Sequence, residues 1–181
     1  MTLQVLDTYK VTFIRRLSSL PTGSYGAPHK RTVPSSLIAA RYSVRAYRPD
    51  PVEDEQLQCI LEAARLAPTA ANRQPLQLVV LHTAGREAEI GRIYHRPWFV
   101  QAPLVVAVCA ISSQAWVRES DRFNARLIDA AIAADHLILA ANLGLGRCWT
   151  AAFNVEAARS VLRLPAEVEP VIFTPLGYPA G

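Results

Sequence analysis

The spacing of apolar residues changes along the chain, and each change marks an element. Leu57, Ile60, Leu61 and Ala64 recur at helical spacing behind the acidic start Pro51-Val-Glu-Asp-Glu55, where carboxylates suit the positive end of a helix dipole; Pro68 stops the run. Leu76–His82 and Leu104–Ile111 are short, Val- and Leu-rich runs that predict strands, with a short helix between them over Gly85–Tyr94. Asn124–Leu143 is the longest helical pattern. It is apolar on nearly all sides, which predicts burial in the core or against another subunit, and Gly144 and Gly146 end it. Arg147–Phe153 then predicts a strand, Val155–Leu162 a helix and Val171–Leu176 a last strand. Helices outnumber strands and the strands are scattered, so the pattern predicts an α+β fold rather than a regular βαβ series.

Before residue 35 the rhythm is missing. Pro21, Gly23, Gly26, Pro28 and Pro34 break a short apolar-basic stretch, Val11–Leu17, so residues 1–34 are expected to form an arm or extension and residues 35–181 one domain. Ser35 and Ser36 offer caps for a short helix through Ala40. The net charge of +4 does not alter this division: residues 1–50 carry eight lysines and arginines against two acids, while the rest carries eleven against thirteen. The basicity therefore belongs to the arm, which lacks interleaved aromatics, and nucleic acid is not an expected partner.

The 181 residues, 51% of them hydrophobic and 19% charged, fit one globular domain. The longest apolar stretch, Phe99–Ile111, is too short to span a membrane, and MTLQVLDTYK has no basic start leading into an apolar run, so no secretory signal is expected. Cys59, Cys109 and Cys148 are odd in number, far apart and set among apolar residues. That pattern fits buried free thiols in a reducing cytoplasm, with neither disulfide framework nor zinc site.

Three segments carry candidate chemistry. Arg41-Tyr-Ser-Val-Arg45 sets two guanidiniums about a hydroxyl, which suits an anion clamp and equally a solvated basic turn. Ala67-Pro-Thr-Ala-Ala-Asn-Arg-Gln-Pro75 offers small residues, a hydroxyl and two amides that can read the edge of a planar ring; a polar helix-to-strand loop is the plainer reading. Gly144-Leu-Gly-Arg-Cys-Trp-Thr-Ala-Ala-Phe153 is no dinucleotide fingerprint, because Trp149 stands at the third glycine position and a helix, not a strand, precedes it.

Taken in order, these segments resemble the nitroreductase family of flavoproteins. Arg41–Tyr47, the helix ending Glu62-Ala-Ala-Arg-Leu-Ala-Pro68, the loop Pro68–Pro75, Ile128–Leu137, Gly144–Trp149 and Leu176-Gly-Tyr-Pro179 are all similar to family blocks, over about residues 36–179. The resemblance implies an α+β homodimer, its central mostly antiparallel sheet surrounded by helices, with FMN at the interface. Arg41, Ser43 and Arg45, with Tyr42 beside them, would hold the phosphate and pyrimidine side of FMN. Pro68, Thr69, Asn72 and Gln74 would come from the partner chain to line the ring. Trp149 and the backbone amides near Thr150, Ala151 and Ala152 would lie close to its reactive edge. The implied reaction takes hydride from NADH or NADPH and passes electrons to a nitroaromatic or quinone-type acceptor; no side chain need act as acid or base, because the cofactor carries the chemistry.

Two departures from the family pattern stand out. Relatives often read Trp-Ile-Gly where this chain has Trp149-Thr-Ala151, and the added methyl is expected to crowd the backbone beside the ring. The family also tends to continue past Gly-Tyr-Pro with basic residues that reach phosphate, whereas this sequence ends at Gly181. At about 1.5–3 kcal/mol per charge-assisted bond, that predicts roughly tenfold weaker FMN binding or more. A specialised relative of the dipeptide oxidase or dehalogenase type, or a catalytically degenerate flavin-binding or interaction module, is therefore the alternative. Of the remaining polar residues, Asp129, Asp135 and His136 make a poor metal set, with His136 expected to be a buried hydrogen-bonded residue. Trp98 is expected at the interface rather than over the flavin, and Trp116-Val-Arg118 on the substrate or nicotinamide side.

Overall fold

The computed structural model describes the backbone of residues 4–6 and 9–11, and residues 38–141 and 144–181 in full. Most of the arm expected over 1–34, and the Ser35–Ser36 cap, lie outside the described residues. Within that span Gln4–Leu6 (β1) and Tyr9–Val11 (β2) pair antiparallel.

The body is built on a four-stranded sheet. Leu76–His82 (β3), Leu104–Ile111 (β4), Gly146–Arg147 (β5) and Val168–Gly177 (β6) lie in the order β3-β4-β6-β5, every neighbour antiparallel. Alternate residues serve two cores, which explains the unbroken apolar runs. Leu78, Val80, Val106 and Val108 point to one face, where Asp54–Arg65 (α1) and Arg126–Ala141 (α4) cover them through Ile60, Leu61, Ala64, Ala133, Leu137 and Ile138. Val79, Leu81, Val105 and Phe173 point to the other face, under Glu87–Ile90 (α2), Pro97–Gln101 (α3) and Val155–Leu162 (α5). The architecture is α+β as expected.

Several expectations need correction. The strand expected over 147–153 is only two residues long, after which a single bridge, Thr150 to Phe173, keeps the chain near the sheet. The last strand starts at Val168 rather than Val171, because a bulge opposite Val108 and Cys109 admits Pro170. α4 is not sealed on all sides: Leu127 and Ile128 are about half exposed, and Asp135 is exposed. Cys59 is an exposed thiol, while Cys109 and Cys148 are buried and free as expected. The His136 side chain is half-buried and makes no hydrogen bond among the described residues. Among the described residues, no helix is long and apolar enough to cross a membrane.

Candidate functional site

The Arg41–Tyr47 segment is anchored at two residues three apart. Val44 and Tyr47 are buried; the Val44 amide donates to the Arg147 carbonyl (3.0 Å) and the Tyr47 hydroxyl donates to the Val44 carbonyl (2.8 Å). Ala180 N–H donates to Ala46 O (3.0 Å), tying the segment to the end of β6. Arg41, Tyr42 and Arg45 are exposed and Ser43 is half-exposed, with no carboxylate paired to either arginine among the described residues. The Arg45 guanidinium sits 5.9 Å from the centre of the Trp98 ring, a cation–π contact that fixes its position.

Behind this segment stands a third cation. Arg147 is 2% exposed, 5.9 Å from the Tyr42 ring centre, and its Nη1 donates to the Leu145 carbonyl. Burial and then the neighbouring Arg41 charge hold its pKa below the ordinary guanidinium range. Burial likewise raises the Tyr47 phenol well above its usual value, with Cys148 adding to the effect, so it stays protonated. Three guanidiniums in one neighbourhood make a surface that favours an anion.

The 146–153 segment lies alongside. Gly146 must be glycine, since a Cβ there would stand 2.8 Å from Val44 Cγ1. Trp149 is exposed, and Thr150 is buried with its amide given to Phe173 O (2.9 Å) and its carbonyl accepting from Phe173 N–H (3.0 Å). Ala151 and Ala152, both exposed residues, have amides that make no hydrogen bond among the described residues. The Thr150 amide, paired with Phe173, is therefore not a free donor.

The 67–75 loop lies elsewhere. Ala71, Asn72 and Gln74 all adopt left-handed φ values near +50° without a glycine among them, a concentration of backbone strain typical of functional loops. Thr69 Oγ1 accepts from the Gln74 amide (3.0 Å), and Asp129 Oδ1 accepts from the Ala70 amide (2.9 Å). Beneath the loop is a small cavity lined by Ala64, Arg65, Thr69, Gln74, Leu76 and Ala133; Arg65 is held there by Glu62 (2.6 Å). This loop leads into β3, whereas Arg41–Arg45 borders β5, the opposite edge. The register also places them at opposite ends of the sheet, since Leu76 aligns with Ala110 and Gly146 with Gly177. Strand spacing and rise put the two groups roughly 20 Å or more apart. One chain therefore brings Arg41, Tyr42, Ser43 and Arg45 together with Trp149–Ala152, and leaves Pro68, Thr69, Asn72 and Gln74 at the far corner.

The model of the family described as the nitroreductase family matches residues 38–94 and 86–178. The chain belongs to the nitroreductase family. Among nitroreductase relatives, it is 32% identical over 154 residues to a putative NADH dehydrogenase/NAD(P)H nitroreductase of Methanothermobacter thermautotrophicus, covering 79% of this chain and 75% of that protein. It is 30% identical to an FMN reductase [NAD(P)H] of Bacillus subtilis, covering 76% of this chain and 62% of the relative. A nitroreductase family crystal structure from Clostridium difficile superposes with a TM-score of 0.73 at 36% identity, covering 80% of this chain and 83% of the other.

For a nitroreductase the donor set fits FMN: exposed arginines without carboxylate partners suit its phosphate, and the amides of Ala151 and Ala152 suit the polar edge of its ring. Two buried polar residues, Arg147 beside Arg41–Arg45 and Asp129 beside the 67–75 loop, are not among the site residues expected from the sequence. Arg147 was visible only as one letter of Gly-Leu-Gly-Arg, although an arginine in an otherwise apolar run is itself a signal. Asp129 was weighed only as a metal ligand. Trp98 is half-buried, stacked edge-on to Tyr94 and Phe99. Trp116 and Arg118 lie in a hairpin-like turn entering α4, where Arg118 is bound to Asp121 (2.7 Å).

Proposed function

We propose that this chain is an NAD(P)H-dependent FMN oxidoreductase that works as a homodimer and passes electrons to nitroaromatic or quinone-type acceptors. The observation that carries the reading is the division of the site: Arg41, Ser43 and Arg45 stand with the free amides of Ala151 and Ala152, and the ring-lining loop stands at the opposite corner. A second copy supplies that loop in trans. Leu127 and Ile128, exposed on α4, give the second copy an apolar surface to cover.

When bound, FMN would supply the redox chemistry that links NADH or NADPH to the second substrate. Arg41, Ser43 and Arg45, the last set beside Trp98, would hold the phosphate and pyrimidine side of FMN. The amides of Ala151 and Ala152 would orient the ring, and Pro68, Thr69, Asn72 and Gln74 of the second copy would line it. Tyr42 and Trp149, both exposed, give planar acceptors an aromatic rim. Trp116 and Arg118 remain candidates for the nicotinamide side. Tyr47 keeps its proton and donates it in a hydrogen bond to the Val44 carbonyl. The free thiols suit a cytoplasmic setting.

The test is steady-state oxidation of NADH and NADPH with menadione and a nitrofuran by the FMN-loaded protein, alongside its mass in solution. Turnover by a dimer is the expected result. Ala151, where relatives often carry glycine, favours a second reading as a specialised relative, and failure to oxidise either nicotinamide despite bound FMN would select it.

A further inference from the structure

We propose that Asp129 is the positioning residue of the ring-lining loop, holding residues 69–74 in the shape that receives FMN; the inference rests on the reading that this loop lines the flavin. Asp129 lies on α4, 2% exposed, and reaches 59 residues back along the chain to accept the Ala70 amide at 2.9 Å. Every other hydrogen bond made by residues 69–74 among the described residues is local: Asn72 to Thr69, Arg73 to Ala70, Leu76 to Gln74, and Gln74 to the Thr69 hydroxyl. Asp129 thus ties the middle of the loop to the body, while the loop's end is held where the Pro75 carbonyl accepts from the Ile111 amide at 2.8 Å.

The loop needs fixing. Three non-glycine residues among four, Ala71, Asn72 and Gln74, hold φ near +50°, a region L-residues adopt only against a steric cost. Left to itself, such a loop relaxes towards ordinary conformations and its amide side chains lose their aim. The carboxyl group is a costly way to provide stability alone. Its Oδ2 is buried and accepts no hydrogen bond among the described residues, and buried polar atoms without partners are rare unless something else requires the group. What requires it here is Oδ1 at the Ala70 amide. Asparagine offers the same acceptor and alanine offers none, which separates the tether from the charge.

The test compares wild type, Asp129→Ala and Asp129→Asn as full chains. Trypsin cutting after the exposed Arg73 reports the loop without any cofactor, and fluorescence titration with FMN reports the site. The alanine variant is expected to be cut faster and to bind FMN about tenfold more weakly or worse. Its bound flavin should also show a shifted reduction potential, which loss of global stability alone would not produce. The asparagine variant is expected to match wild type in all three. A folded alanine variant with wild-type cleavage, affinity and potential overturns the proposal. Faster cleavage in a chain whose wild type binds no FMN would keep the tether and sink the flavin reading instead. Should the alanine variant not fold, amide exchange in wild type decides: Ala70 should exchange more slowly than the unbonded Ala71, and equal rates overturn the tether.

Discussion

The Val44 amide donates to the carbonyl of Arg147 at 3.0 Å, a bond that joins the two halves of the proposed cofactor surface contributed by a single chain. On one side it fixes the register that turns Arg41, Ser43 and Arg45 outward. On the other it holds the strand that leads to Trp149 and the amides of Ala151 and Ala152. Anything that separates Val44 from β5 should disturb both halves together.

Gly146→Ala makes that separation directly. The new methyl would lie within 3.0 Å of three Val44 side-chain carbons, and Val44 is buried, so the segment must move. A loss of about 1–3 kcal/mol in urea unfolding is expected, of the size seen for overpacked cores. Flavin affinity should fall with it. Wild-type stability in this variant would mean that the contact relaxes freely.

Arg41→Ala should behave in the opposite way. Arg41 is exposed and its side chain has no carboxylate partner among the described residues, so thermal unfolding should shift by only a degree or two, about 0.5 kcal/mol at most. FMN affinity should drop about tenfold or more through the lost charge-assisted bond. Unchanged flavin content would remove Arg41 from the phosphate site.

Much of this was legible before any coordinates, and the misses have physical causes. β3 and β4 are bounded at the predicted residues because their flanks are prolines, glycines and polar residues, and α5 runs from Val155 as predicted because Asn154 caps it, accepting from the Ala157 amide at 2.9 Å. α3 was hidden because Trp98 and Phe99 read as the start of one long apolar run with β4. The left-handed backbone at Ala71, Asn72 and Gln74 was hidden because no glycine announces it. Arg41, Ser43 and Arg45 could be named as a clamp, but that Arg147 backs them is set by strand pairing, which residue spacing does not reveal.

Dimerisation should be sensitive to the exposed apolar face of α4. Ile128→Glu places a charge where an apolar partner surface is expected. Light scattering should show a shift from dimer to monomer, with loss of FMN because the trans loop departs. A dimer that keeps its flavin would move the interface off this face.

The two thiols at the extremes of exposure should differ in chemistry. Burial pushes Cys109 up to about 12 from 9.0, while Cys59 is exposed. In the native protein a thiol reagent should therefore label Cys59 quickly and Cys109 only on unfolding. The folded thiol holds its proton where the unfolded one has lost it, so this contribution to stability is complete below about pH 9 and declines as pH rises towards 12. Denaturant midpoints measured across that range should fall, and less so in Cys109→Ala.

The most direct measurement is an anaerobic absorbance spectrum of the protein loaded with FMN, before and after one addition of NADH or NADPH. Flavin bands that stay with the protein through gel filtration and bleach on addition of a nicotinamide are the expected result. A protein that emerges colourless after incubation with FMN would contradict the assignment of Arg41, Ser43, Arg45 and the Ala151–Ala152 amides to a flavin site.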